Sequence, residues 1–244
     1  MKKKIGCLLI HGFGGNIQEV IPLAQSLQAQ GYDVLCPALK GHNGKRQDFI
    51  GVKHQDWISS AEEELQQLMA RNEGVFVIGF SMGGLIALNL GVRYQLRGIV
   101  TLNSPIYYWD LKRIALNLME DIKIRRLVNT KRYLQSSIKF PLSALVHFRI
   151  LLGKTKKLLN QVQCPVFVAQ ALEDDTVRKN SAHYLYTHIA SSNKALKFYP
   201  KSGHLILWSE AASQVIEDVK GFIHDELTDA EQPDPKELRD YWNE

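Results

Sequence analysis

Ser81 lies in Gly79-Phe80-Ser81-Met82-Gly83, where an apolar run at 75–80 meets the helical pattern Leu85-Ile86-Leu88-Leu90. A serine at such a strand-turn-helix junction is placed to act as a nucleophile, because the sharp turn pushes its hydroxyl into a cleft. The turn forces the flanking backbones together, and glycine at 79 and 83 lets them pass. The helix that starts beneath the serine offers unpaired amides and the positive end of its dipole to an oxygen that gains negative charge. A serine hydroxyl needs a base, and the base needs an acid to orient it. Downstream stand His147, His183, His188, His204 and His224. His147 falls in a segment without strand character, His183 and His188 in a helical pattern, and His224 beside Phe222-Ile223 in the last one. His204 alone follows a strand pattern, 195–199, through Pro200-Lys201-Ser202-Gly203, which sets it in a loop at a strand's carboxyl end. The acid belongs after the preceding strand, 166–171, where Glu173, Asp174 and Asp175 stand together. Position alone does not separate Asp174 from Asp175.

The loop His11-Gly12-Phe13-Gly14-Gly15 directly follows the first apolar run. Glycines there let a backbone N–H approach a substrate oxygen, so the amides of Phe13 and Met82 are the expected oxyanion donors. A nucleotide-binding reading of the same glycines fails. The G-x-G-x-x-G spacing breaks at Ile17, and no Walker lysine follows. There is no H-E-x-x-H and no paired Cys/His motif, so the chemistry is expected to need neither metal nor cofactor.

These residues need a scaffold that brings several strand ends to one edge. Candidate strands are 5–10, 32–36, 75–80, 98–102, 166–171 and 195–199, apolar and without alternation, as expected of parallel strands buried on both faces. Between them run helical stripes. One comprises Trp57, Ile58, Ala61, Leu65, Leu68 and Met69. The other comprises Ala211, Ala212, Val215, Ile216, Val219, Phe222 and Ile223. Strand-helix alternation implies right-handed βαβ units and a three-layer α/β domain with a mostly parallel sheet. The alternation breaks between about 106 and 163, a stretch read as a helical insertion over one end of the sheet. The core is accordingly assigned to 1–105 and 161–227, the insertion to 106–160, and a polar C-terminal tail to 228–244.

The 244 residues, 45% hydrophobic and 23% charged, suit an ordinary globular chain with a sizeable core. That profile excludes intrinsic disorder, collagen and a disulfide miniprotein. The basic Met1–Lys4 start and apolar 5–10 run stop at His11 without a small-residue cleavage site, and read as a first strand rather than a signal peptide. Cys7, Cys36 and Cys164 are odd in number and far apart, as expected of reduced thiols in a cytoplasmic protein. Charge is segregated along the chain. The insertion holds twelve Lys/Arg against three Asp/Glu, and residues 225–244 hold two against eight. Weak contact of the basic part with an anionic membrane surface is expected at most, and no nucleic-acid module accompanies it. The oligomeric state is not encoded in any recognisable pattern.

His11–Gly15, the "PALKGH" stretch at 37–42, Asp56-Trp57, Gly79–Gly84, Asp174-x-x-Val177 and Ser202-Gly203-His204 together resemble the bacterial carboxylesterase and monoacylglycerol-lipase-like branch of the α/β hydrolases. The resemblance runs from about Ile5 to Ile223. It implies the α/β-hydrolase fold with a small helical cap between the fourth and fifth predicted strands. It also selects Asp174 over Asp175, because in that family a Val or Ile follows the acid by three residues, as Val177 follows Asp174. The implied activity is hydrolysis of short- to medium-chain acyl esters, monoacylglycerols included, by Ser81, His204 and Asp174 through an acyl-enzyme. The partner would be a small-molecule ester. The acidic tail is not part of the family pattern. Rival readings are a ligand-binding or sensor homologue, and a hydrolase of a thioester, lactone or carbon–carbon bond, since fold alone does not fix the reaction.

Overall fold

On the first strand, β1 (Ile5–Ile10), Leu8 and Ile10 pack into one hydrophobic layer while Cys7 and Leu9 pack into another on the opposite face. A strand covered on both sides needs apolar residues at every position, which is why it reads as an unbroken run. The computed structural model describes residues 4–107 and 140–229. Within them lie β2 (Asp33–Leu35), β3 (Gly74–Phe80), β4 (Gly98–Leu102), β5 (Val166–Ala171) and β6 (Lys194–Tyr199). The six strands form one sheet in the order β2-β1-β3-β4-β5-β6, every pair parallel.

Parallel neighbours require crossovers, and helices supply them. They are α1 (Ile21–Ala29), α2 (His54–Arg71), α3 (Met82–Arg93), α4 (Leu142–Leu158), α5 (Lys179–His188) and α6 (Ala212–Asp229). Trp57, Leu65, Leu85, Leu151 and Leu185 bring α2 to α5 into the core layer on one face. Leu23, Leu27, Val215, Val219 and Ile223 bring α1 and α6 onto the other. The sequence stripes on α2 and α6 are thus the two opposite covers of the sheet.

The expectation that every strand is buried on both faces holds for β1, β3, β4 and β5 and fails at the edges. All three residues of β2 are half-buried, and β6 alternates half-buried with exposed residues along most of its length. Edge strands lack a neighbour on one side, and Lys194 and Lys197 on β6 blunt that edge with charge. Within the expected insertion, α4 seats Ala144, Leu151, Leu152 and Thr155 against the core. Asn89 on α3 donates to Thr155 Oγ1 at 2.7 Å. Most of the basic insertion residues, at 108–139, and nearly all of the acidic tail lie outside the described residues. Among the described residues no helix is long and apolar enough to cross a membrane.

Candidate active site

The strand register aligns Ile10 with Gly79, Phe80 with Leu102, and Ala171 with Tyr199. The loops that leave β1, β3, β4, β5 and β6 therefore open at one edge of the sheet, and all the residues singled out for chemistry lie on them. Ser81 follows β3 with φ 51° and ψ −117°, a backbone conformation that L-residues seldom adopt. Its amide donates to Leu102 O at 2.8 Å, pinning the turn to β4. A Cβ at position 79 would collide with the Gly83 backbone, one at 83 with the Ile10 carbonyl, and one at 84 with the Ser104 hydroxyl. These three clashes explain why the turn is glycine on both sides of the serine. Ser81 itself is 8% exposed, less open than a hydroxyl projecting into a free cleft. Gly12 crosses close above it, where a Cβ would meet Ser81 Cβ at 3.2 Å.

His204 and Asp174 meet. The imidazole Nδ1 lies 2.8 Å from Asp174 Oδ2, and the carboxylate is nearly sealed, with 1% of its side chain exposed against 21% for His204. Asp174 Oδ1 accepts the amides of Thr176 at 2.8 Å and Val177 at 2.7 Å. The carboxylate is thus fixed by its own turn, and Val177, itself buried, is the residue whose amide closes that turn. Asp175 points elsewhere, to the Thr176 hydroxyl at 2.9 Å, and Glu173 accepts the amide of Lys201 at 3.2 Å. With Nδ1–H committed to the carboxylate, the other ring nitrogen of His204 keeps a free lone pair. The ring packs on Phe80, centroids 5.0 Å apart, which sets it beside the serine turn. Among the described residues no hydrogen bond joins Ser81 Oγ to His204.

The amides of Phe13 and Met82 donate to no group among the described residues. Met82 is the first residue of α3, so its amide is one of the helix's unpaired donors. The Phe13 amide belongs to the same peptide plane as the Gly12 carbonyl. That carbonyl accepts His11 Nδ1–H at 2.9 Å and the Gly15 amide at 3.3 Å, so the Phe13 N–H points the opposite way. His11 Nε2 accepts the Leu39 amide at 3.3 Å, which fixes a neutral imidazole, and burial lowers its pKa further. The Phe13 ring stands in an aromatic wall with Phe49, Trp57, Phe140 and Phe148, at centroid distances of 5.7, 5.6, 4.8 and 5.2 Å. His42 packs on the same wall, and burial followed by repulsion from His11 lowers its pKa to about 4. Asp56, just before Trp57, caps α2 by accepting the Lys53 amide at 2.8 Å and pairs with Lys40 Nζ at 3.0 Å.

Two residues that sequence reasoning missed complete the arrangement. Asn103, immediately after β4, is fully buried with φ 49°. Its Oδ1 accepts the Ala171 amide at 2.7 Å, while its Nδ2 donates to Gly203 O at 3.1 Å and His204 O at 2.8 Å. One side chain therefore ties the ends of β4 and β5 to the histidine loop. Its signal was an Asn at a strand's carboxyl end, a residue that tolerates positive φ. Glu19 is the other, accepting the Gly12 amide at 2.8 Å. Among the described residues no three His, Cys, Asp or Glu side chains converge to hold a metal.

Residues 7–218 match the model of the alpha/beta hydrolase family. The chain is an alpha/beta hydrolase. It is 26% identical over 224 residues to a carboxylesterase of Bacillus subtilis (strain 168), a match covering 88% of this chain and 91% of that one. It is 29% identical over 222 residues to a thermostable monoacylglycerol lipase of Bacillus sp. (strain H-257), covering 87% and 88%. The hydrolase also superposes on a solved metagenome-derived lipolytic enzyme with TM-score 0.78 at 21% identity, covering 91% of this chain and 94% of that one. Fold and family agree with the resemblance carried by the motifs, and the relatives just given are named as a bacterial carboxylesterase and a bacterial monoacylglycerol lipase.

Proposed function

We propose that this hydrolase cleaves carboxylic esters of short to medium acyl chains, monoacylglycerols among them, through a covalent acyl-serine. The observation that carries the reading is the 2.8 Å bond between His204 and a buried, doubly capped Asp174, on loops that open beside a strained Ser81. His204 Nε2 takes the proton from Ser81 Oγ as the oxygen attacks the ester carbonyl. The Phe13 and Met82 amides receive the oxyanion, each contributing about 3 kcal/mol as such donors do elsewhere. Asp174 holds the tautomer and stabilises the imidazolium. His204 then protonates the departing alkoxide, and water enters by the same route in reverse to free the acid and restore Ser81.

The aromatic wall around Phe13 suits an acyl chain better than a charged or sugar-like group, and the curated relatives, named as a carboxylesterase and a monoacylglycerol lipase, point the same way. A cytoplasmic setting belongs to the same proposal. The three cysteines are free, and burial pushes Cys36 and Cys164 up to about 11, so they stay protonated thiols. The test is pre-steady-state hydrolysis of p-nitrophenyl butyrate, with a burst stoichiometric in active enzyme, followed by mass spectrometry of protein treated with a fluorophosphonate. A label on a residue other than Ser81, or turnover of thioesters and lactones far above esters across a chain-length series, would sink the proposal.

A further inference from the structure

Glu19 occupies the hollow of the glycine loop. Its Oε2 accepts the Gly12 amide at 2.8 Å, and a Cβ at position 15 would collide with its carboxylate carbon and both oxygens. Gly15 therefore makes room for a carboxylate rather than for substrate. The Gly12 amide and carbonyl are both held, the first by Glu19 and the second by His11 and Gly15. With both sides of the residue fixed, the peptide plane that carries the Phe13 N–H cannot rotate. The short turn Ile17–Glu19 that delivers the carboxylate is itself tied to the histidine side of the site. Trp208 Nε1, four residues beyond His204, donates to Gln18 O at 2.9 Å.

We infer that Glu19 is a positioning residue of the reaction, fixing the Phe13 amide through Gly12. This rests on the Ser81–His204 reading of the site. Burial pushes the Glu19 carboxyl above its ordinary value, while the Gly12 amide and then His204 act in the opposite sense.

Full-length Glu19→Ala, Glu19→Gln and Ser81→Ala decide the matter, assayed with p-nitrophenyl butyrate from pH 5 to 9. Glu19→Ala frees the Gly12 peptide and is expected to lower kcat roughly ten- to a hundredfold, less than outright loss of an oxyanion donor, with KM changed little. Glu19→Gln keeps an oxygen acceptor for the Gly12 amide and is expected to restore most of that loss. A general loss of structure would instead lower the melting temperature, raise KM and escape rescue by glutamine. Wild-type kcat in Glu19→Ala, or a Glu19→Gln no more active than Glu19→Ala, overturns the inference. If Glu19→Ala does not fold, Glu19→Gln decides alone, and a kcat in it more than about tenfold below wild type overturns the inference. Activity surviving in Ser81→Ala would instead strike the underlying reading, so the two failures are distinguishable.

Discussion

At the scale of single residues, the neighbouring aspartates make the sharpest test. Asp174 has three donors and almost no solvent, whereas Asp175 holds the Thr176 hydroxyl at an exposed site. Asp174→Asn is expected to lower kcat about 10⁴-fold by favouring the wrong histidine tautomer, and Asp175→Asn to change it less than about threefold, as exposed substitutions usually do. Steady-state kinetics on the two purified variants reads the ranking directly, and equal losses would refute it. Ser81→Ala removes one oxygen from a position that stays packed beneath Gly12, so activity should vanish while the melting temperature moves little. The residue types of this site were legible in the sequence because strand-turn patterns placed Ser81 and His204. The choice of Asp174 needed the Val177 spacing, whose physical content is the amide that caps the carboxylate. Glu19 was illegible because its partner, the Gly12 amide, is reached only when the chain doubles back on itself.

Elements show a different balance. Each strand was visible as an apolar run to within a residue or so of its ends, since burial on both faces leaves no polar alternation to blur it. The edge character of β2 and β6 was not visible, because strand order is set by crossovers and not by any residue within the strand. Asn103 was missed for the same reason. It reads as an ordinary loop asparagine until β5 and the histidine loop are folded beside it. Its replacement by alanine leaves the buried Ala171 amide and two carbonyls without their partner. Asn103→Ala should cost about 2–3 kcal/mol of stability and, by loosening the His204 loop, lower kcat more than it raises KM. Denaturant unfolding and kinetics on the same preparation check both halves, and a variant as stable as wild type would refute the clamp. At the elbow, Gly84→Ala drives a methyl into Ser104 and should destabilise by more than about 3 kcal/mol, in the range of severe overpacking.

For the molecule as a whole, pH should act through buried histidines before it acts through carboxylates. Burial is the main cause that lowers both His42 and His54 from 6.5 to about 4. In the unfolded chain they take up protons near pH 6.5, whereas in the fold they resist until near pH 4. Below 6.5 the unfolded state therefore binds more protons, so stability is full above that pH, falls as pH drops toward 4, and levels off beneath it. His42 alone accounts for at most about 3 kcal/mol of this slope. The carboxylates held low, Asp33, Asp56 and Asp218, enter only below their ordinary value near 3.8. The melting temperature of the whole chain should decline from pH 7 to 4.5, and His42→Gln should flatten the decline whatever it does to the value at pH 7. A parallel decline in both proteins would remove His42 from the account.

The strand order has a consequence for how the enzyme comes into being on the ribosome. β1, made first, ends in the middle of the sheet between β2 and β3, whereas β5 and β6 are made last and lie together at one end. Four strands and the strained serine can thus assemble while the flank of β4 is still bare, and it remains bare until residues 103–165 have been synthesised. At about 5–20 residues per second that is a delay of several seconds with an open, apolar edge on a tethered chain. During it the nascent protein carries Ser81 but neither Asp174 nor His204, so on the proposed mechanism it is inactive, and its bare edge leaves it vulnerable to aggregation. Translation stalled between β4 and β5 should make this intermediate a preferred client of trigger-type chaperones, and ribosome release should find the activity appearing all at once, with the last strand.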